Sequence, residues 1–344
     1  MKPNAWILAG KVDYLVHKGI PAMKIETVSD TDQVVLRDVL FENGTIEYDI
    51  EPISSSSIYF RRNSYKEQEI FYLRDRFNQP LYNDGIQYCP VIDGVIMWDV
   101  FDHFQAPALI KPNEWNHVKL VISGYQMRVF INNMVKPALE IPRLEGSQKT
   151  GSIAFDGNCI IANVVIKPNL TDDLASYEGT DLTNHDANYL RNWQSSKPIK
   201  LSRGTEPYFR KLPESDSIFV GKIFAERHGL INLTRKFGKN KEREMVWLKA
   251  TINSELAQQK ILSLGFSEEV WVFVNKKYSY SDKNLYRTTN VRKYPDGRLS
   301  TQNASFPIQL QKGENEILIG VANEFYAWGI VARLSDMEGL TLKD

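Results

Sequence analysis

The chain of 344 residues is longer than one hydrophobic core ordinarily supports, and its 42% hydrophobic and 24% charged content belongs to a globular protein rather than a disordered one. Its 42 basic and 42 acidic side chains cancel without forming blocks of like charge, which makes nucleic acid and anionic membranes poor candidates for the main partner. Apolar runs such as residues 270–274 fall far short of the roughly 20 residues of a membrane helix, so no membrane insertion is expected.

Met1-Lys2-Pro3-Asn4 leads at once into Trp6-Ile7-Leu8-Ala9-Gly10, too short a stretch for a secretory core. The expectation is a cytoplasmic protein if Met1 is the native start, and a periplasmic or secreted one if a signal peptide has been removed. Cys89 and Cys159 are too few for a disulfide framework, and neither lies at metal-ligand spacing from another Cys or His. The five histidines are scattered. Asp99, Asp102 and His103 have the chemistry to hold a cation, but such residues on a loop more often cap backbone or face water. No phosphate-binding glycine loop or nucleophile elbow occurs, so neither cofactor nor metal is expected.

In chain order, residues 22–25 and 33–36 read as opening strands around the polar turn Ser29-Asp30-Thr31-Asp32. Residues 41–50, FENGTIEYDI, alternate cleanly. Ile46, Tyr48 and Ile50 take one face and Glu47, Asp49 and Glu51 the other, after an Asn43-Gly44 pair suited to a tight turn. Ser54-Ser55-Ser56-Ser57 then separates this strand from residues 58–62 and 69–74, where aromatics share strands with arginines. Residues 95–100 follow as a strand. Residues 115–122 and 126–131, spaced by Ser123-Gly124 and closed by Asn132-Asn133, predict a meander, and strands near 152–155 and 160–166 flank Asp156-Gly157.

This order, and above all WNHVKLVISGYQMRVFINN at residues 115–133, resembles the concanavalin-like, laminin-G-like β-sandwich domains of bacterial carbohydrate-active proteins. It is also similar to the domain type of 3-keto-disaccharide hydrolases. The resemblance covers about residues 5–168 and implies a jelly roll with a concave face that often receives sugar. No catalytic residue is carried over from it.

Residues 168–208 break the strand rhythm, yet Tyr189, Leu190 and Trp193 suit an ordered connector more than a free linker. Strands resume at Phe209, with runs at 247–252, 260–264, 270–274 and 317–321. EEVWVFVNKK and LQKGENEILIGVANEFYAWGIVARL resemble the galactose-binding-like jelly roll that accompanies many glycoside hydrolases. Where that family shows Asn-Gly, this chain has Asn275-Lys276. The predicted fold is therefore all-β, with two antiparallel β-sandwich (jelly-roll) domains at residues 1–168 and 210–344 joined by an ordered connector, 169–209.

Three constellations follow. Glu47, Asp49 and Glu51 place three carboxylates on one strand face, as some retaining glycosidases do. Strand geometry separates residues two apart by about 6.6–7 Å, against the ~5–5.5 Å such catalysis needs, and a wet strand face gives the same letters. Arg61, Tyr72, Arg74, Gln87 and Trp98 combine planar donors with flat aromatics, the pairing that pyranose rings and hydroxyls require. The bland alternative is arginines paired with nearby acids. A second ligand set, Asn275, Asn323, Tyr326 and Trp328, would sit at a sandwich rim, although Trp328 could equally begin a final strand.

The function expected is a carbohydrate-binding protein or accessory module whose partner is an oligo- or polysaccharide. The alternatives are a glycoside hydrolase or lyase with its site on the first sandwich, or a structural interaction module.

Overall fold

In the computed structural model, which describes residues 2–29, 31–77, 79, 81–208 and 211–343, the alternating stretch belongs to a strand of 21 residues, Gly44–Ser64. Part of the turn expected at 29–32 (Asp30), and the boundary expected at Phe209 and Arg210, lie outside the described residues. The chain divides into two units, Met1–Thr180 and Asp181–Asp344.

In the first unit Gly44–Ser64 pairs along nearly its whole length with Ser152–Pro168. Its first part also pairs with Asn116–Ser123, from Gly44 opposite Ile122 to Ile50 opposite Asn116, and its last part pairs with Glu67–Leu73. Two long strands thus bend together and hand the ladder from one layer of the sandwich to the other. The layers meet inside, where the rings of Tyr48 and Phe155 are 5.1 Å apart, and Ile46, Ile50, Ile58, Phe71 and Tyr88 are buried. Each such apolar side chain contributes roughly 1.5–3 kcal/mol.

The four serines do not end a strand, as the sequence suggested. They lie within Gly44–Ser64, at its corner. Opposite them the register slips between Gly157 and Cys159, a bulge of the kind that bends a strand. Gly157 has φ +99°, and a Cβ there would lie 2.4 Å from the Ser55 carbonyl oxygen. Any side chain is therefore excluded both by backbone conformation and by the partner strand.

The second unit packs an eight-stranded sheet on a four-stranded one, all pairs antiparallel, around a core that includes Trp193, Val246, Leu262, Val272, Ile319 and Trp328. Residues read as connector supply two of its strands. Asn192–Ser195 and Ile199–Lys200 both pair with Glu244–Ser254. Asn275-Lys276 forms its turn without glycine, with φ +50° and +63°, and joins Glu268–Val274 to Lys277–Asn284. Among the described residues helix is confined to Leu233–Phe237 and single 3-10 turns. No helix there is long and apolar enough to cross a membrane. Cys89 and Cys159 are both free and buried.

The bend gives a direct test. Gly157→Ala should lower the stability of the first unit by about 2 kcal/mol or more, read from its chemical denaturation midpoint. An unchanged midpoint would mean that the corner tolerates a side chain.

Candidate functional site

Strand register assembles the first unit's polar face. Asp156, Ser57, Tyr72, Gln87 and Gln105 are successive cross-strand partners, so they form one row across five strands. The next row, Phe155, Ile58, Phe71 and Tyr88, points into the core, which leaves the first row on the outer face of that sheet.

On this face four of the five predicted residues meet. The Tyr72 hydroxyl donates to Gln87 Oε1 at 2.7 Å, and Arg74 Nη2 donates to the same oxygen at 2.6 Å and to the Tyr72 hydroxyl at 2.8 Å. Gln87 Nε2 donates to the carbonyls of Trp98 and Phe101, at 2.7 and 3.2 Å, and so ties the segment after strand Val95–Ile96 over the sheet. The Arg74 guanidinium lies 5.0 Å from the Tyr72 ring centre and 5.6 Å from that of Trp98. Trp98 is 6% exposed, so its ring backs Arg74 rather than standing open as a platform.

The sequence reading missed what lies on the other side of Arg74. Asp84 Oδ2 is 3.6 Å from Arg74 Nε, and Asp84 Oδ1 accepts from Arg76 Nε at 3.3 Å. Arg76 in turn covers the Tyr82 ring at 5.1 Å, and Tyr82 is 53% exposed. These residues sit on the 74–85 loop, where no periodicity marks a facing direction. The Arg-x-Arg spacing ahead of Tyr82-Asn83-Asp84 was the available signal. Two buried polar atoms on this face, Arg74 Nε and Gln105 Oε1, make no hydrogen bond. Arg74 Nε is turned instead to the Asp84 carboxylate, 3.6 Å away.

Arg61 is elsewhere. Its backbone is left-handed, φ +46°, and its guanidinium donates to the carbonyls of Glu42 and Gly124 and to Asn43 Oδ1, at 3.0, 2.7 and 3.2 Å. It is buried, and it braces the loops beside the meander.

Glu47 and Asp49 keep the half-exposed face expected of them, Glu51 is buried, and all three are engaged. Asp49 meets His117 Nδ1 and Asn163 at 2.7 Å each, and Glu47 accepts from Lys167 at 2.9 Å. Glu51 meets His17 and Lys18 at 3.0 and 2.6 Å. Burial pushes the Glu51 carboxyl up, but hydrogen bonds from Lys18 and His17 outweigh it and hold the group below the usual carboxylate range. Two histidines far apart in sequence thus converge on one strand. Near Trp98, His103 Nδ1 is 3.8 Å from Asp102 Oδ1.

In the second unit the rim set separates. Asn275 and Asn323 belong to opposite ends of strand Glu268–Val274, since Val274 pairs with Ile317 and Glu269 with Ala322. That strand spans about 20 Å. Asn275 is bonded to Asn315 and to the Glu316 backbone. Trp328 packs in the core, the plainer of the two readings, while Asn323 donates to the Tyr326 carbonyl at 3.3 Å and Tyr326 remains partly exposed. Beside Tyr326 the half-buried Glu268 accepts backbone N–H bonds from Glu324 and Phe325 at 2.5 and 3.3 Å. Burial nevertheless pushes its carboxyl up to about 7.

No family model matches the chain, and no curated protein sequence matches it. Similar solved structures include a carbohydrate-binding module of Bacillus subtilis, 11% identical over 47% of this chain and 95% of that one, with a TM-score of 0.35. A Bacillus subtilis protein with a galectin-like fold is 13% identical over 48% of this chain and 91% of its own, with a TM-score of 0.30. A Caenorhabditis elegans galectin is 10% identical over 48% and 99%, also at 0.30.

Glu268 sets a pH dependence whose sign is fixed. Its folded-state pKa lies above the ordinary 4.5, so the native form is favoured while the group is protonated, and stability falls as pH rises from 4.5 toward about 7. Glu268→Gln should flatten that fall in melting temperature across the same window while keeping an acceptor for the loop. A parallel decline in both proteins would assign it to another group.

Proposed function

We propose that the protein recognises carbohydrate through the outer face of its first sandwich, at the surface built by Arg74, Arg76, Tyr82 and Asp84 over the Tyr72, Gln87 and Trp98 layer. The observation that carries this reading is the Arg74 guanidinium. It lies 5.0 and 5.6 Å from the Tyr72 and Trp98 ring centres, donates to Gln87 and the Tyr72 hydroxyl, and faces Asp84 across 3.6 Å. A planar donor pre-positioned in this way loses little entropy on meeting a hydroxyl pair, and the exposed Tyr82 ring beside it suits the C–H face of a pyranose.

Binding is favoured over hydrolysis by the state of the carboxylates. Glu47 and Glu51 lie four residues apart on one strand, about 13 Å along it, whereas the two acids of a retaining glycosidase sit ~5–5.5 Å apart. A general acid also needs a raised pKa, and that of Glu51 is lowered.

One aromatic contact and a few charge-assisted hydrogen bonds give micromolar to millimolar affinity. With a ligand selected from a panel of plant and microbial glycans, Arg74→Ala should weaken binding about tenfold or more in calorimetry. Normal binding by Arg74→Ala together with loss in Tyr326→Ala would move the site to the second unit. Sugar released in the panel, and abolished by Glu47→Gln, would make the protein a hydrolase.

A further inference from the structure

Strand Glu244–Ser254 of the second unit is covered along one edge by short strands laid end to end. Asn192–Ser195 pairs Gln194 with Lys249, while Leu340–Lys343 begins with Lys343 opposite Thr251. Between these pairs Ala250 has no ladder partner on that edge among the described residues, and a cavity of about 610 Å³ opens at the interruption. Small-molecule sites typically occupy about 300–1,000 Å³.

The lining is basic. Lys222, Lys249 and Lys343 face two carboxylates, Asp216 and Glu314. Lys222, Gln194 and Lys249 are successive cross-strand partners, so the two lysines stand about 9–10 Å apart at their Cα atoms, close enough for both ammonium groups to reach one anion. Lys249 is only 7% exposed, and its ammonium lies 4.6 Å from the Phe219 ring centre. A cation so placed needs an anion, and it takes one at 2.8 Å from Asp216, whose own side chain is 76% exposed. Water can rehydrate a carboxylate that exposed once another anion takes its place beside the ammonium. The Lys222 ammonium has no ion-pair partner among the described residues. At the same mouth Phe224 leaves 61% of its surface open, an apolar plane next to the free charge.

We propose that this cavity binds an acidic saccharide, a uronate whose carboxylate sits between Lys222 and Lys249, displacing Asp216, while its ring lies against Phe224. The site is separate from the surface around Arg74 and does not depend on it.

The test is calorimetry on the full chain with an oligogalacturonate and with a neutral galactose oligomer of equal length. The acidic oligomer should bind, and its affinity should fall about tenfold in both Lys222→Glu and Phe224→Ala and weaken as salt is raised. Both positions are exposed, so folding is preserved, and circular dichroism checks it. Four results would each overturn the proposal: no binding of the acidic oligomer, equal affinity for the neutral one, binding indifferent to both substitutions, or displacement by sulfate at matched concentration. Loss of oligogalacturonate binding in Arg74→Ala with Lys222→Glu unaffected would overturn it too, by placing the ligand on the first unit.

Discussion

The first unit depends on one constraint, that Gly44–Ser64 and Ser152–Pro168 stay paired while both turn a corner. Neither strand can bend alone without breaking hydrogen bonds that the interior cannot replace. The corner therefore needs a place where one backbone can press on another, and Gly157 against the Ser55 carbonyl supplies it. Both layers follow from this pair. The meander 116–131 is added to the strand before the bend, and the strands bearing Tyr72 and Gln87 are added after it. The polar row on the outer face exists because the sheet downstream of the corner has its own inward and outward sides.

That outer face is stabilised by a second device. Gln87 is fully buried, yet all its hydrogen-bonding capacity is met. Its oxygen accepts twice, and its amide donates to two carbonyls of the overlying segment. An unpaired buried amide would cost about 1–3 kcal/mol, so the network fixes the segment's position as firmly as apolar packing would. Because Gln87 is saturated, it can only orient Arg74.

Local periodicity was legible where one face is dry. Ile46, Tyr48 and Ile50 are buried while Glu47 and Asp49 are not, and the meander lies within a residue of its expected limits. Parity likewise put Tyr72 and Arg74 on one face. The failures have physical causes. Serines at a bend look like a loop because small polar residues suit both. Strands 192–195 and 199–200 are short, and their partner lies some fifty residues on, so nothing local marks them; Trp193, buried in the core, was the hint. Arg61 left its expected face because a left-handed residue rotates the side chains around it, and the register slips between Phe60 and Ser64. Asp84 and Tyr82 escaped notice because loops have no period.

The second unit turns the handling of a sheet edge into a recess. A long open edge on Glu244–Ser254 would invite pairing with another chain, and covering it with short strands removes that hazard. Those strands enter from distant parts of the sequence, 192–195, 199–200 and 340–343, and their ends cannot all abut. On the same outer face, Leu212, Ile218 and Phe219 roof Trp247, Trp271 and Phe273, which keeps that part of the sheet dry. On the same side of the strand Lys249 is covered at the edge of this roof by Phe219, and Thr251 follows at the junction where coverage lapses. A groove lined by strand side chains is more rigid than one built from loops, and of this lining only Asp216, on the 3-10 turn Asp216–Ile218, is outside a strand. The gap between end-to-end strands thus forms a recess walled mainly by strand residues, Lys222, Lys249 and Lys343 among them.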